Sequence, residues 1–185
     1  MKNTFLVLFV IGLLFGCGNK ELSRKETVTT YYKAFDSGDF EKLKTVIHDS
    51  ITLIPGDFVM PFDKNSFNEF YKWDSIFNPS YEILETEEKN NDVIATITQN
   101  NTRNAFLKNN PLKLKVKVSF TSGRISKIEE LEYFDVNWDT WSQRRDSLIN
   151  WIQLNHNELD GFVNDMTLEG AQNYLKSMKL YEAQE

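Results

Sequence analysis

The residue types that most often carry chemistry are scarce in this sequence. Its 185 residues contain two histidines, His48 and His156, and one cysteine, Cys17. Three such residues are too few for a zinc site, and neither a nucleophile elbow nor a phosphate-binding glycine loop occurs. We therefore expect no metal site and no cofactor.

His48 is followed by Asp49, and a histidine beside a carboxylate can transfer protons. Adjacent residues at a helix end point in different directions, however. A solvated His48 that interacts with a helix C-terminus is therefore the favoured interpretation. His156 lies in a polar stretch without another ligand nearby, and we expect it to be exposed.

Lys113, Lys115 and Lys117 alternate with apolar residues, and such a row could bind an anion. The alternation is also typical of a strand that turns its polar face to water. Acidic partners are available on the next predicted strand at Glu129, Glu130 and Glu132. A solvated sheet face is the favoured interpretation.

The overall composition predicts a globular protein without nucleic-acid partners. Hydrophobic residues make up 41% of the chain and aromatic residues 14%, which is enough for a real core. The formal net charge is −6, so the long-range attraction that phosphate backbones require is missing. The single cysteine excludes a disulfide scaffold.

The N-terminus carries a targeting pattern. An apolar run over residues 5–15 follows Lys2, and it is shorter than the roughly 20 residues that span a bilayer. Together with Gly16 and Cys17, this segment resembles the bacterial lipoprotein signal, in which the cysteine thiol carries diacylglycerol and further acyl chains such as palmitate are added. The resemblance implies a lipid anchor at Cys17 in the inner or outer membrane of the cell envelope, with the folded part outside the cytoplasm. A buried cysteine in an N-terminal helix is the alternative.

Two helices are predicted at the start of the folded chain. Ser23 and Glu26 form a capping box, and aromatic residues recur behind it at helical spacing, which predicts a helix over residues 24–36. Asp39 can cap a second helix that closes at His48. A short strand is predicted over residues 51–54.

Ser66 and Glu69 form another capping box, which predicts a third helix. Beyond it the hydrophobic period changes from about 3.6 to about 2. Four strands are predicted from this alternation, over residues 81–87, 93–102, 112–120 and 124–134. The order of elements predicts an α+β fold in which a curved antiparallel sheet wraps around the N-terminal helices.

The pattern returns to helix after residue 136, and a last helix is predicted from Thr167. Three of the four tryptophans lie in this part of the chain, at Trp138, Trp141 and Trp151. They can cover the open end of the fold or the outer face of the sheet. They can also present a surface to a partner, since tryptophan is enriched at interface hot spots.

Three stretches occur in a distinctive order: residues 31–40 with a Gly-Asp joint, residues 64–71, and residues 122–128. Ile125 and Ile128 are three apart within the last predicted strand, which indicates a β-bulge. In this order the stretches resemble the nuclear transport factor 2-like superfamily, which includes ketosteroid isomerases and SnoaL-type polyketide cyclases. The resemblance covers about residues 23–136. It implies a cone-shaped fold that is closed at one end and can hold a small apolar molecule.

The isomerases of that superfamily need an aspartate base, together with a tyrosine and a protonated acid at the developing oxyanion. Matched residue by residue, Tyr31 falls on the family's tyrosine, but the base position falls on Pro55. The acid position falls among Leu, Val and Lys residues. We therefore assign no catalytic residue, and Tyr31 with Asp57 or His48 is the alternative that would make an enzyme.

Aromatic side chains are the candidates to line a pocket inside the cone. They are Tyr31, Tyr32, Phe35, Phe58, Phe67, Phe70 and Trp73. Apolar residues at helical spacing fill a core by default, so an open pocket and a filled cone are both alternatives.

The leading hypothesis is a lipid-anchored, non-catalytic envelope protein with a pocket for a small apolar ligand. The second is an interaction or assembly subunit whose aromatic C-terminal helices dock on a protein partner or on a second copy, as a homodimer. The third is a pocket enzyme of isomerase or dehydratase type. The corresponding divisions are a signal peptide (1–16), a lipidated tether (17–22), the superfamily domain (23–136) and a helical extension packed on it (137–185).

Overall fold

The computed structural model describes residues 22–184, which form an α+β fold, as predicted. The helices are α1 (Arg24–Asp36), α2 (Phe40–Val46), α3 (Lys64–Ser75), α4 (Thr102–Phe106), α5 (Trp138–Asn155) and α6 (Leu168–Glu182), with a 3₁₀ turn at Asn157–Leu159. The strands are β1 (Ile47–Ile54), β2 (Met60–Asp63), β3 (Ser80–Lys89), β4 (Asp92–Asn100), β5 (Leu112–Thr121) and β6 (Arg124–Phe134).

The six strands form one sheet in the order β2-β1-β6-β5-β4-β3. All neighbours are antiparallel except β1 and β6, which pair in parallel. Against β5, strand β6 has one unpaired residue at Ser126 and another at Leu131. The first of these is the predicted bulge, and it keeps both Ile125 and Ile128 buried. Bulges bend a strand, which fits the curvature of this sheet.

The sequence signals for the first two helices are confirmed. Ser23 and Glu26 form the capping box of α1, which spans the predicted residues. The Asp39 side chain accepts a hydrogen bond from the Lys42 backbone N–H and caps α2. Both helices therefore begin where the sequence predicts.

The predicted end of α2 is wrong. The helix stops at Val46, and His48 and Asp49 belong to β1 instead. Ile47 adopts an extended conformation, is fully buried and pairs with Ile125 of β6. Burial of this isoleucine in the sheet therefore ends the helix two residues early.

Two further boundaries differ from the sequence prediction. Helix α3 is capped by Asp63 rather than Ser66, because the Asp63 carboxylate accepts from two backbone N–H groups and Ser66 completes the capping box from inside the helix. Strand β4 ends at Asn100, and Asn101 caps the short helix α4, which the sequence pattern did not predict.

Two hydrophobic clusters hold the chain together. The first, here the cone core, lies between the sheet and the N-terminal helices and includes Val28, Leu43, Phe67, Val93, Val118 and Ile125. The second, here the cap core, lies under α5 and α6 and consists of Trp73, Phe77, Phe106, Leu107, Leu148, Ile152, Leu159, Phe162, Ala171, Tyr174 and Met178. Phe70 of α3 packs against both clusters.

The proposed anchor residue, Cys17, and the apolar run before it lie outside the described residues. Between residues 22 and 184, no helix has both the length and the apolar character needed to span a membrane.

Candidate functional site

A cavity of about 290 Å³ lies between α1, α3 and the inner face of the sheet. Its volume is close to the roughly 300 Å³ at which ligand pockets typically begin. The apolar part of its wall consists of Leu53, Pro55, Met60, Ile97, Leu114, Val116, Ile128, Val163 and Met166. The cone is therefore not completely filled by its own side chains.

Five of the seven predicted pocket residues line this cavity, namely Tyr31, Tyr32, Phe35, Phe70 and Trp73. The other two lie elsewhere. Phe67 is fully buried in the cone core, where its ring packs against Phe62. Phe58 is 75% exposed, because it lies in the turn that follows Pro55 and points away from the cone.

Tyr31 and Tyr32 lie on the buried face of α1, each 5% exposed. Their rings meet edge to face at 5.1 Å. Both residues line the cavity, and neither hydroxyl forms a hydrogen bond to a described residue. Burial raises the pKa of both phenols well above the usual value, so both stay neutral and can donate or accept a hydrogen bond.

Asp74 supplies a buried carboxyl group to the cavity. It lies in the last turn of α3 and is 5% exposed. Burial raises its pKa to about 6, although the nearby positive charge of Arg103 and the hydrogen bond from Tyr81 oppose the shift. Its carboxyl group is therefore close to half-protonated in mildly acidic solution.

A chain of hydrogen bonds runs from α4 towards Asp74. The Asn104 amide donates to the Gln99 side-chain oxygen at 3.4 Å, and the Gln99 amide donates to the Tyr81 hydroxyl at 2.9 Å. The Tyr81 hydroxyl donates to Asp74 Oδ2 at 3.5 Å. Because every member of the chain donates towards the carboxylate, Tyr81 is oriented as a donor to Asp74.

Arg103 is the positively charged residue of the cavity wall. Helix α4 places its guanidinium over the rings of Trp73 and Phe77, at 4.9 and 5.5 Å from their centroids. The guanidinium hydrogen-bonds to no described residue. Its charge opposes the upward pKa shifts of both Asp74 and Glu130.

Glu130 faces the cavity, which corrects its predicted role as an outward partner of the lysine row. The bulge at Leu131 sets Glu130 on the inner face opposite Val116, while Glu132 pairs outward with Lys115 at 3.1 Å. Burial raises the Glu130 pKa, and its carboxylate accepts a hydrogen bond from the Tyr133 hydroxyl.

The lysine row otherwise behaves as the solvated sheet face that was predicted. Lys117 forms an ion pair with Glu129 at 2.7 Å across the two strands.

The segment between the 3₁₀ turn and α6, residues 160–167, borders the cavity and is here called the cap loop. It contributes Val163 and Met166 to the wall. The Trp73 indole N–H donates to the Asp165 carbonyl oxygen at 3.0 Å and ties the loop to α3. Gly170 packs so closely on Asp165 that a Cβ at position 170 would overlap its carbonyl oxygen.

The other candidate proton carriers are not part of the cavity. His48 and Asp57 are absent from its wall, and Asp57 is exposed. Asp49 is exposed and pairs with Lys64 at 2.7 Å. His156 is half-buried rather than exposed, because its ring packs on Trp151 at 5.2 Å. Within residues 22–184, no group of three or more His, Cys, Asp or Glu side chains could hold a metal ion.

The C-terminal tryptophans lie mainly within the helical cap. Trp151 packs against Tyr181 at 5.7 Å, and Trp141 packs at the edge of the cap core beneath Arg145. Trp138 is 46% exposed and packs on Tyr133. A role of these residues in binding a partner or a second copy stays a prediction.

Sequence reasoning missed the polar side of the cavity. Asp74 lies seven residues after Phe67 and four after Phe70, on the same helical face as these predicted aromatic residues. That spacing was the available signal, since a carboxylate on an apolar stripe is buried when the stripe packs. Arg103 and Gln99 gave no comparable signal, because α4 was not predicted.

Comparisons with known proteins agree on the fold. No protein-family model and no curated protein matches this sequence. Bal32a, from a soil-derived mobile gene cassette, is similar in structure with a TM-score of 0.51 at 18% identity, over 65% of this chain and 94% of that one. A nuclear transport factor 2-like protein of unknown function from Cytophaga hutchinsonii gives a TM-score of 0.51 at 11% identity, over 63% and 94%. IdmH from Streptomyces antibioticus, described as a candidate polyketide cyclase, gives 0.50 at 16% identity, over 68% and 99%.

These likenesses establish the nuclear transport factor 2-like cone for most of the described chain. At identities of 11 to 18%, structural similarity shows a shared fold but does not show a shared activity. The function must therefore be argued from the cavity itself.

Proposed function

We propose that this protein is a lipid-anchored binding protein that holds a small, mainly apolar molecule inside its cone. The observation that carries the proposal is the unfilled cavity of about 290 Å³, whose walls are largely apolar and aromatic and where the hydroxyls of Tyr31 and Tyr32 have no hydrogen-bond partner among the described residues. A ligand of this kind buries its body against Ile97, Val116 and Ile128. Its polar part meets the hydroxyls of Tyr31 and Tyr32.

The unpaired groups support binding over a purely structural role. A buried polar group without a partner costs roughly 1–3 kcal/mol, so a folded protein normally satisfies it. Arg103 is only half-buried and can be solvated, but the hydroxyls of the buried, cavity-lining residues Tyr31 and Tyr32 have no hydrogen-bond partner among the described residues. A bound ligand or ordered water would satisfy them, and the apolar walls favour a ligand.

Titration with the neutral apolar fluorophore N-phenyl-1-naphthylamine tests this proposal. We expect saturable, one-to-one fluorescence enhancement with the folded protein. Val116→Phe should weaken binding at least about tenfold, because Val116 is 1% exposed and its larger replacement fills the cavity. The matched control is Val59→Phe, at a site that is 66% exposed.

Thermal unfolding of each variant shows whether Val116→Phe is folded. Met166→Trp fills the cavity from the cap loop instead, so it should also weaken binding while the sheet stays unchanged. Equal binding by the wild type and by both folded blocking variants would contradict a binding site in this cavity.

The lipid anchor is supported by the sequence of residues 1–17 alone. In the full-length chain produced in a bacterium, the wild type should fractionate with membranes, and Cys17→Ser should lose membrane retention because it has no thiol to acylate. Unchanged retention of Cys17→Ser would contradict the anchor without affecting the pocket.

A second candidate function is acid–base catalysis, and the observation that favours it is Asp74. Its pKa of about 6 suits proton transfer near neutral pH, it accepts a hydrogen bond from the Tyr81 hydroxyl, and it lines the same cavity as Tyr31. Conversion of a β,γ-unsaturated cyclic ketone to its conjugated isomer, followed by ultraviolet absorbance, tests this. Conversion by the wild type and by Asp146→Asn, but not by Asp74→Asn, would support catalysis by Asp74. If the wild type does not convert the ketone, acid–base catalysis on this substrate class is contradicted.

A further inference from the structure

The charges of the cavity wall are unbalanced. Three of its described lining residues are ionisable at ordinary pH, namely Asp74, Glu130 and Arg103. Two carboxyl groups therefore face one guanidinium, whose charge already acts on both of them. When both carboxyls are ionised, the wall carries one net negative charge, and a neutral or cationic ligand is favoured over an anion.

The aromatic part of the wall also suits a cation. Six rings line the cavity, those of Tyr31, Tyr32, Phe35, Phe70, Trp73 and Tyr81. Aromatic faces attract ammonium groups, and the attraction strengthens when water is excluded. The raised pKa values of the tyrosines keep their rings neutral, so their hydroxyl oxygens can accept hydrogen bonds from a ligand.

The hydrogen-bond chain leaves a vacant acceptor at Asp74. Tyr81 donates to Oδ2 at 3.5 Å, and the described residues supply no other hydrogen bond to this carboxyl group. A carboxylate that is 5% exposed, with one long hydrogen bond, is poorly compensated. A ligand that brings both a donor and a positive charge would compensate it.

We infer that the cavity binds a hydrophobic organic cation: an amine whose ammonium group donates to Asp74 and whose apolar body lies between the aromatic rings and the sheet. This inference rests on the proposed binding function and specifies its ligand class. Glu130 provides a second carboxylate on the same wall, and Arg103 limits the total charge that the site can accept.

The inference predicts a pH dependence with a defined sign. The groups that face Asp74 are Tyr31 from α1, Tyr81 from β3 and Arg103 from α4. The tyrosines stay neutral, Asp74 has a pKa of about 6, and Glu130 of β6 on the same wall, whose pKa burial also raises, titrates in the same direction. Below the Asp74 pKa a cation must displace the Asp74 proton. Affinity for an amine should therefore be about tenfold weaker near pH 5 than near pH 7.5, with proton release on binding.

Isothermal titration with three probes of similar shape tests the inference: 4-phenylbutylamine, 4-phenylbutanol and 4-phenylbutanoate. Near pH 7.5 we expect the amine to bind roughly tenfold or more tightly than the alcohol, and the carboxylate to bind weakest. Asp74→Asn should remove the preference for the amine and leave binding of the alcohol. The matched control, Asp146→Asn on the exposed side of α5, should keep the preference.

The outcomes separate the inference from the function on which it rests. If the alcohol or the carboxylate binds as tightly as the amine, the cation inference is wrong and the binding function stands. Retention of the amine preference in Asp74→Asn would also overturn it. If none of the three probes binds and N-phenyl-1-naphthylamine also fails to bind, the binding function itself is wrong.

Discussion

The cone core and the cap core are built by different means. The cone core joins long strands and the α1 helix through alternating apolar residues such as Leu114, Val116 and Val118. The cap core joins helices α3 to α6 and the cap loop, with large aromatic residues such as Trp73 and Phe77 among its members. The cavity lies where the two meet, with most of its walls from the cone, Glu130 on β6, and its two other charged groups, Asp74 and Arg103, at the end of α3 and in α4. The cone therefore provides the space, and the boundary with the cap provides most of its chemistry.

The variants with the largest expected effect on stability each remove one buried aromatic ring, one from each core. Phe67→Ala in the cone and Phe77→Ala in the cap each delete a side chain that is at most 1% exposed. Each should lower the free energy of unfolding by about 3–5 kcal/mol. Because Phe70 and Trp73 stack at 6.3 Å across the boundary, we expect a single cooperative transition in both variants.

Denaturant unfolding followed by both tryptophan fluorescence and circular dichroism measures this effect. Two separated transitions in Phe77→Ala, with the sheet signal lost second, would show that the cap unfolds independently of the cone.

The second test concerns the pH dependence of stability. The Asp74 pKa is about 6 in the folded protein and near 3.9 in an unfolded chain, so the folded state holds an extra proton between these values. Its contribution to stability is therefore present below about pH 4 and is lost as pH rises to about 6. Asp74→Asn should be more stable than the wild type at neutral pH, by up to about 3 kcal/mol. Its free energy of unfolding should also lack the decrease between about pH 4 and pH 6 that Asp74 causes in the wild type.

Chemical denaturation from about pH 4 to pH 7.5 compares wild type, Asp74→Asn and the exposed control Asp146→Asn. If the pH profiles of wild type and Asp74→Asn run parallel, Asp74 is not a buried titrating group and its role at the boundary is wrong.

The third test acts on the cap loop. Gly170→Ala introduces a Cβ against the Asp165 carbonyl oxygen, so the loop or the start of α6 must move. We expect a loss of about 1–3 kcal/mol and weaker probe binding, because Met166 and Val163 shift with the loop. Glu169→Ala, at an exposed position on the same helix, is the control. If Gly170→Ala has the stability and probe affinity of the wild type, the loop can move to accommodate the Cβ and its position does not matter for the cavity.

The smallest expected effect is that of Trp73→Phe, which removes the indole hydrogen bond to Asp165 and keeps an aromatic ring. The loss should be about 1 kcal/mol. Hydrogen exchange should speed up in the cap loop and remain unchanged in β5. Equal acceleration in both regions would mean that the bond stabilises the whole fold and does not act locally.

The same two regions explain what the sequence could predict. The bounds of α1 and the alternation of β5 follow from local signals, the Ser23 capping box and a period of two, and both are confirmed. The carboxyl groups of the cavity depend on tertiary context. Glu130 turns inward because the bulge at Leu131 resets the alternation of β6. Asp74 lies on the apolar stripe of α3, which is a local signal, but its burial also requires the cap and α4 to cover the end of that helix, and no local pattern encodes that packing.

The central claim is that a ligand occupies the cone and not the cap. Methyl-labelled isoleucine NMR, with N-phenyl-1-naphthylamine added stepwise, tests it most directly. We predict that the methyl signals of Ile97 and Ile128, which line the cavity, shift and saturate together, while that of Ile152, fully buried in the cap core, stays in place. Shifts confined to Ile152 or its neighbour Ile149, or no shift at saturating probe, would contradict the claim.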